Sequence, residues 1–286
     1  MEKRAHDVLD AAYDGGVRYF DAARSYGLAE EFLASWLAGR ALAPGSVTIG
    51  SKWGYTYTAG WRVDAPTHEV KDHTLPAFRR QFAESRAILG IHLALYQIHS
   101  ATLESGVLDD SAVIDALAAA RNDGLRIGLT VSGLSQADTV WRALDVRRDG
   151  VRVFDTVQAT WNLLERAAEP ALRAAYEAGL GVIVKEALAN GRLTTRNPGG
   201  PSAALVAVVV AEAGRLGVAV DALALAWALS QPWVSVVLSG ATTVEQVRSN
   251  LTARSTTLSS GSRERLVEVA MDSAAYWHER SELRWN

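Results

Sequence analysis

Val17-Arg18-Tyr19-Phe20-Asp21, running into Ala22-Ala23-Arg24-Ser25-Tyr26-Gly27, reads as a short strand that ends on an acid and opens a turn carrying a tyrosine. Two further stretches repeat the form. Val47-Thr48-Ile49-Gly50-Ser51-Lys52 ends on a lysine, and Leu95-Tyr96-Gln97-Ile98-His99 ends on a histidine. In a parallel α/β barrel the strand C-termini share one face, so Asp21, Tyr26, Lys52 and His99 converge there although they lie far apart in the chain. Such a convergence makes an active site.

Working outward, helical and strand patterns alternate along the chain. Ala5, Val8, Leu9 and Ala12 follow helical spacing, as do Ala29, Phe32, Leu33, Trp36 and Leu37, and later Ala137, Val140, Trp141 and Leu144. By this spacing Trp36 and Trp141 belong to the core. Strand-like runs bounded by Gly or polar residues fall at 17–21, 47–51, 93–98, 126–131, 153–158, 180–184 and 234–238. The βαβα order predicts a parallel sheet covered by helices, and this many units at this length point to a (β/α)8 barrel rather than an open sheet. The Gly-x-Gly-x-x-Gly turn of an open dinucleotide-binding sheet does not follow the first strand. A single barrel domain over 1–286 is expected. Because the chain opens on a helix, an eight-stranded barrel would lack its first strand here, and the edge at 17–21 would be exposed to pairing with other chains.

The chain has 286 residues and is 49% hydrophobic, enough for a large core. Its 29 basic and 32 acidic residues are interspersed, which leaves no electrostatic footprint for nucleic acid or an anionic membrane. There is no cysteine, so disulfides and thiolate metal sites are excluded. Met1 to Asp7 carries no apolar run after its charges, and the apolar run from Ala203 to Ala211 is too short to span a bilayer. A soluble cytoplasmic protein is the expectation, in which the acceptor pattern Asn250-Leu251-Thr252 stays unglycosylated.

Each of the four strand-end residues has an ordinary structural reading alone: a cap, a solvated charge, a packed ring, a satisfied imidazole. Together they make a relay. A tyrosine with an unperturbed pKa of ~10 is a poor acid near neutrality unless a neighbouring cation favours its phenolate. Lys52 supplies that cation, Asp21 holds the lysine charged, and His99 can orient a substrate oxygen while Tyr26 acts as general acid or base.

These segments resemble the aldo-keto reductase family. Phe20-Asp21-Ala22-Ala23-Arg24-Ser25-Tyr26-Gly27 is similar to its Asp-Thr-Ala-x-x-Tyr-Gly element, Ser51-Lys52 to its lysine segment, and Tyr96-Gln97-Ile98-His99 to its histidine strand. The likeness continues through Val157-Gln158, Asn162, Leu188-Ala189-Asn190-Gly191-Arg192-Leu193 and Ser239-Gly240-Ala241-Thr242-Thr243 to Asn250. What it implies is a barrel that binds NADP(H) or NAD(H) and moves hydride to or from a small carbonyl or sugar, with Tyr26 as proton donor. It further implies that Ser132 and Gln158 hold the nicotinamide amide, that 186–193 (Glu186, Leu188, Gly191) and 239–250 (Ser239, Gly240, Ala241, Thr242, Gln246, Asn250) wrap phosphates and adenine, and that a strand and small hairpin precede the first helix in relatives.

Departures from the family pattern bear on the cofactor. Gly240, Ala241 and Gln246 stand where basic residues often meet the adenosine 2′-phosphate, and Arg248 points to another helical face, so NADP is not clearly preferred. Lys185 stands where many relatives have an aromatic that stacks on the nicotinamide, and Gly133 where an asparagine is common. Thr242 with Glu245 fits a capping box, which would start a helix whose free N–H groups can meet a phosphate. The long segment from Trp53 to His73 carries Tyr55, Tyr57 and Trp61, with Trp53 and Tyr55 as candidate substrate contacts. The C-terminal Tyr276 to Trp285 stretch is a second candidate for covering the pocket. His68, Glu69 and His73 lack the His-Glu-x-x-His spacing, and no metal site is expected. The alternative is a nucleotide-binding or regulatory barrel with little catalysis, or a family member missing its first strand. A barrel hydrolase or isomerase using His99 and Asp21 leaves Tyr26 unexplained.

Overall fold

The computed structural model describes residues 1–60, 62, 67–197 and 199–283; Trp61 and Trp285 lie outside them. Two compact units are present, the first holding residues 1–132 with 138–157, the second 133–137 with those from 158 onward.

In the first unit the Val/Ile/Leu-rich runs form β1 (Tyr19–Asp21), β2 (Thr48–Trp53), β3 (Leu93–Ala101) and β4 (Arg126–Val131), alternating with α1 (Glu2–Asp14), α2 (Ala29–Gly39), α3 (Leu75–Leu89) and α4 (Ser111–Asn122). The pairing is parallel throughout, with Asp21 opposite Gly50, Lys52 opposite Gln97 and Gln97 opposite Gly128. Parallel strands covered by helices must be apolar on both faces, and β3 and β4 are buried along nearly their whole length. Helix starts carry their own caps. Thr74 accepts from the Ala77 amide with Pro76 in the first turn of α3, and Asp110 accepts from Ala112 and Val113 at α4.

β1 is shorter than the 17–21 run because the Val17 amide closes the end of α1 on the Ala12 carbonyl. Two hairpins carry no clear mark in the sequence: Tyr55–Tyr57 pairs with Glu69–Lys71 inside the long aromatic segment, and Arg147–Arg148 pairs with Val151–Arg152. α5 (Gln136–Leu144) buries Val140 and Ala143, whereas Trp141 is 46% exposed and its assignment to the core is corrected. The inward arc takes in Val140 and Ala143 and leaves Trp141 outside it.

In the second unit β6 (Gly181–Lys185) pairs in parallel with β7 (Val236–Val237), flanked by α6 (Glu169–Glu177), α7 (Ala203–Leu216), α8 (Val220–Leu229), α9 (Val244–Leu251), α10 (Ser260–Val267) and α11 (Ser273–Glu282). Its core centres on Trp161, stacked parallel to Trp227 at 6.5 Å and edge-on to Trp233 at 5.0 Å. β5 (Thr156–Thr160) begins in the first unit and ends in the second, starting later than the 153–158 run; just before it the Asp155 amide bonds the Ile127 carbonyl of β4. The hydrogen-bonded order of the seven strands is that of the sequence, β1 to β7. Among the described residues no single helix is long and apolar enough to cross a membrane.

Candidate active site

Asp21, Tyr26, Lys52 and His99 all lie in the first unit, where the register of β1, β2 and β3 brings them together. Asp21 ends β1 and receives three donors: the Lys52 ammonium on Oδ2, and the Tyr19 hydroxyl at 2.9 Å and the Gln97 amide at 3.2 Å on Oδ1. Lys52 Nζ also donates to the Ala22 carbonyl at 2.8 Å and sits 5.0 Å from the centre of the Tyr26 ring. Burial would lower the Lys52 pKa, but the Asp21 carboxylate and the Tyr26 hydroxyl outweigh it and hold the ammonium above the ordinary lysine value. The lysine is therefore a fixed cation.

Tyr26 and His99 meet edge to face, ring centres 5.5 Å apart, with the phenol oxygen 3.5 Å from Nε2. Ser25 Oγ lies 3.5 Å from Nδ1 of the same imidazole. These spacings are long for hydrogen bonds, as is common at sites that tighten around a ligand. Tyr26 is 49% exposed while Lys52 and His99 are buried, so the phenol is the member offered to solvent and its partners stand behind it.

Residues that the sequence motifs pass over complete the site. Tyr19 and Gln97 are each two positions before a site residue on its strand, hence on the same face, and that period of two was the signal available. Gly50 has a steric reason: a Cβ there would stand 2.6 Å from the Tyr19 hydroxyl and 3.1 Å from Asp21 Oδ1. Behind the lysine strand, buried Glu30 accepts from Arg24 and Ser51, each at 2.5 Å, and from Ser85 at 2.7 Å, tying α2 to β2 and α3. Nothing in the sequence marks Glu30, an acid on an otherwise apolar helix face.

Of the candidate substrate contacts, Tyr55 touches His99 edge-on at 4.9 Å and lines a cavity of about 330 Å³ with Arg24, Leu28, Tyr57 and Arg80. Trp53 is fully buried against Phe78 and His73, so it shapes the wall from behind. Among the described residues no cluster of three or more His, Asp or Glu could hold a metal ion.

Ser132 directly follows β4 in the first unit; the other nucleotide candidates are in the second. Gln158 is buried in β5, and Lys185 ends β6. Glu186 has a left-handed backbone (φ 54°) and pairs with Arg280, which with the nearby Lys185 keeps its carboxyl below the usual range despite burial. Leu188 precedes a single turn over Ala189–Gly191. Ser239 accepts from the Asn250 amide at 2.8 Å, Gly240 is exposed and Ala241 is half-buried. The capping expectation shifts by one residue: Thr243, not Thr242, caps α9 by accepting from the Gln246 amide, and Gln246 Oε1 takes the Thr242 amide at 2.8 Å.

A family model described as the Aldo/keto reductase family matches residues 1–270. The chain belongs to the aldo-keto reductases. It is 26% identical over 278 residues to an uncharacterized oxidoreductase, YrpG, of Bacillus subtilis, covering 88% of this chain and 82% of that one. A D-threo-aldose 1-dehydrogenase of a Pseudomonas species is 27% identical over 214 residues, 69% of this chain and 63% of its own length. In structure it is similar to the aldo-keto reductase AKR11C1 of Bacillus halodurans in its holo form, with TM-score 0.73 at 20% identity over 94% of this chain and 88% of that one. As an aldo-keto reductase the protein is an oxidoreductase of the (β/α)8-barrel class, the class that the strand ends predict.

Proposed function

We propose that the protein interconverts a small carbonyl compound or sugar and the corresponding alcohol, with Tyr26 as general acid in reduction and general base in oxidation. The single observation that carries the reading is the Asp21–Lys52–Tyr26–His99 constellation. Tyr26 would give its proton to the carbonyl oxygen, and the fixed Lys52 charge would stabilise the phenolate left behind. His99 Nε2, 3.5 Å from the phenol oxygen, would donate to the same substrate oxygen and hold it in line. Asp21 would act through the lysine, keeping it charged in a site where burial alone would neutralise it.

NAD(H) or NADP(H), when bound, would supply or take up the hydride. The second unit's residues fit such a nucleotide. Asn250 Oδ1 is buried with no hydrogen-bond partner, an acceptor suited to the exocyclic amine of adenine. Beside it, the exposed Gly240 has open space at its Cβ position, and the first turn of α9 presents amide groups to an anion. Ser132, Gln158, Lys185, Glu186, Leu188 and Gly191 complete the proposed nucleotide set. The reading takes residues 1–286 as one domain and the protein as cytoplasmic.

Replacing Tyr26 by Phe tests the mechanism: turnover of aldehydes or aldoses with the preferred nucleotide should fall by at least ~10²-fold while nucleotide affinity holds. Full turnover in Tyr26→Phe would remove the phenol from the reaction.

A further inference from the structure

The peptide between His99 and Ser100 is held at both ends by side chains outside the four residues just assigned. β3 changes register between Ile98 and Ala101, and Ser100 takes a left-handed backbone (φ 51°). A residue with a Cβ in that region costs ~1 kcal/mol or more and persists only where its surroundings dictate it. Here the His73 Nε2–H donates to the His99 carbonyl oxygen at 2.9 Å, and the Ser100 amide donates to Thr130 Oγ1 at 2.7 Å. Oxygen and nitrogen belong to one peptide plane. Fixing both sets the ψ of His99 and the φ of Ser100, and with them the direction in which the imidazole leaves the strand.

His73 is itself built in. Asp72 takes the Thr74 amide and hydroxyl at 3.1 and 2.7 Å, and its own amide bonds the Gly54 carbonyl at 2.8 Å, so the backbone on both sides of His73 is anchored. The ring lies against Gly54, where a Cβ would come within 2.4 Å of it, and meets Trp53 and Tyr55 edge-on at 5.7 and 6.4 Å. Its Nδ1 is buried with no partner, so the single N–H of the neutral ring is the one on the carbonyl. Burial holds its pKa down to about 4, which keeps the ring neutral near pH 7. Thr130 is likewise buried.

We propose that His73 and Thr130 are positioning residues for His99, pinning the 99–100 peptide so that the imidazole is aimed at the Tyr26 hydroxyl. The proposal rests on the reading of His99 as the group that orients substrate. It separates this brace from mere support of the sheet, because supporting contacts would not discriminate between His73 variants that fill the same space.

The test uses the full chain with His73→Phe, which keeps the ring packing and removes the donor, His73→Gln, which restores an N–H near the same point, and Thr130→Val, which removes the acceptor at constant shape. In the protein without substrate, the His99 imidazole resonances, assigned through His99→Gln, should shift and broaden in His73→Phe and Thr130→Val and return toward wild type in His73→Gln. kcat should fall at least tenfold in the first two with nucleotide affinity within twofold, and recover in part in the third. Unchanged imidazole resonances in folded His73→Phe and Thr130→Val overturn the brace; should His73→Phe not fold, Thr130→Val decides alone. Wild-type protein without turnover on any carbonyl overturns the functional reading instead, and the resonances still decide the brace.

Discussion

Lys52 Nζ and the Asp21 carboxylate form an ion pair with side chains only 1% and 9% exposed, on neighbouring strands whose register places Asp21 opposite Gly50. Removing one partner of a buried pair leaves a charge that neither water nor protein compensates, at a cost of about 3 kcal/mol or more. Lys52→Met should therefore lower stability by about that amount in urea unfolding, and adding Asp21→Asn to it should return part of the loss. The sign with pH is set by the raised lysine pKa: the contribution is whole below the ordinary value of 10.5 and is lost as pH rises through the higher folded value. A Lys52→Met protein as stable as wild type at neutral pH would mean that the Tyr19 and Gln97 donors alone satisfy Asp21.

His73 gives the acid side of the stability profile a specific shape. Its folded pKa of about 4 lies below the ordinary 6.5, so the unfolded chain takes up this proton first as pH falls. Stability present above pH ~6.5 is then lost between there and pH ~4, by about 3 kcal/mol for this one group. Unfolding free energies of wild type and His73→Phe, measured from pH 7 to 4, should converge or cross by that amount. Parallel curves would show that the ring titrates as it does in the unfolded chain.

Strand ends in a parallel sheet are stereotyped, so the sequence alone carries much of the fold and the centre of the site: seven strand-like runs correspond to seven strands, and Asp21, Tyr26, Lys52 and His99 come together as their strand positions require. What escapes a sequence reading is the part that depends on long-range polar pairing. Glu30 at the hub of a buried network, Gln97 on Asp21 and His73 on the His99 carbonyl are each ordinary in local sequence, and each is tied to a partner more than twenty residues away. Trp141 fails for the opposite reason. Helical spacing identifies an inward arc but not its edge, and one residue of rotation separates buried Val140 from exposed Trp141.

Cofactor choice follows from charge at α9. Gly240 and Ala241 carry no side-chain donors, and Gln246 spends its Oε1 on the Thr242 amide at 2.8 Å, so a 2′-phosphate would find no guanidinium or ammonium between 239 and 246. NADH should bind at least as tightly as NADPH, and Gln246→Arg should tilt the preference toward NADPH by tenfold or more. Fluorescence titration of each nucleotide measures both. A clear NADPH preference in wild type would move the phosphate contact elsewhere, with Arg248 the first residue to replace.

The buried pair Arg192–Glu279 fastens α11 to the segment proposed to wrap the nucleotide. Arg192 is fully buried, donates to Glu279 at 2.8 Å and to the Ala189 carbonyl at 2.9 Å, and lies 4.2 Å over the Tyr276 ring. The other Glu279 oxygen takes the Ser202 amide at 3.2 Å and its hydroxyl at 2.9 Å. Glu279→Gln keeps the shape and the Ser202 contacts but strands the guanidinium, so it should cost about 3 kcal/mol of unfolding free energy. The exposed i,i+4 pair Lys3–Asp7 is the control, since Lys3→Ala should change stability by less than ~0.5 kcal/mol. Because Arg192 is tied to the turn at Ala189–Gly191, nucleotide should also dissociate faster from Glu279→Gln. Loss of stability with an unchanged dissociation rate would confine α11 to a structural part and separate the 189–192 turn from nucleotide retention.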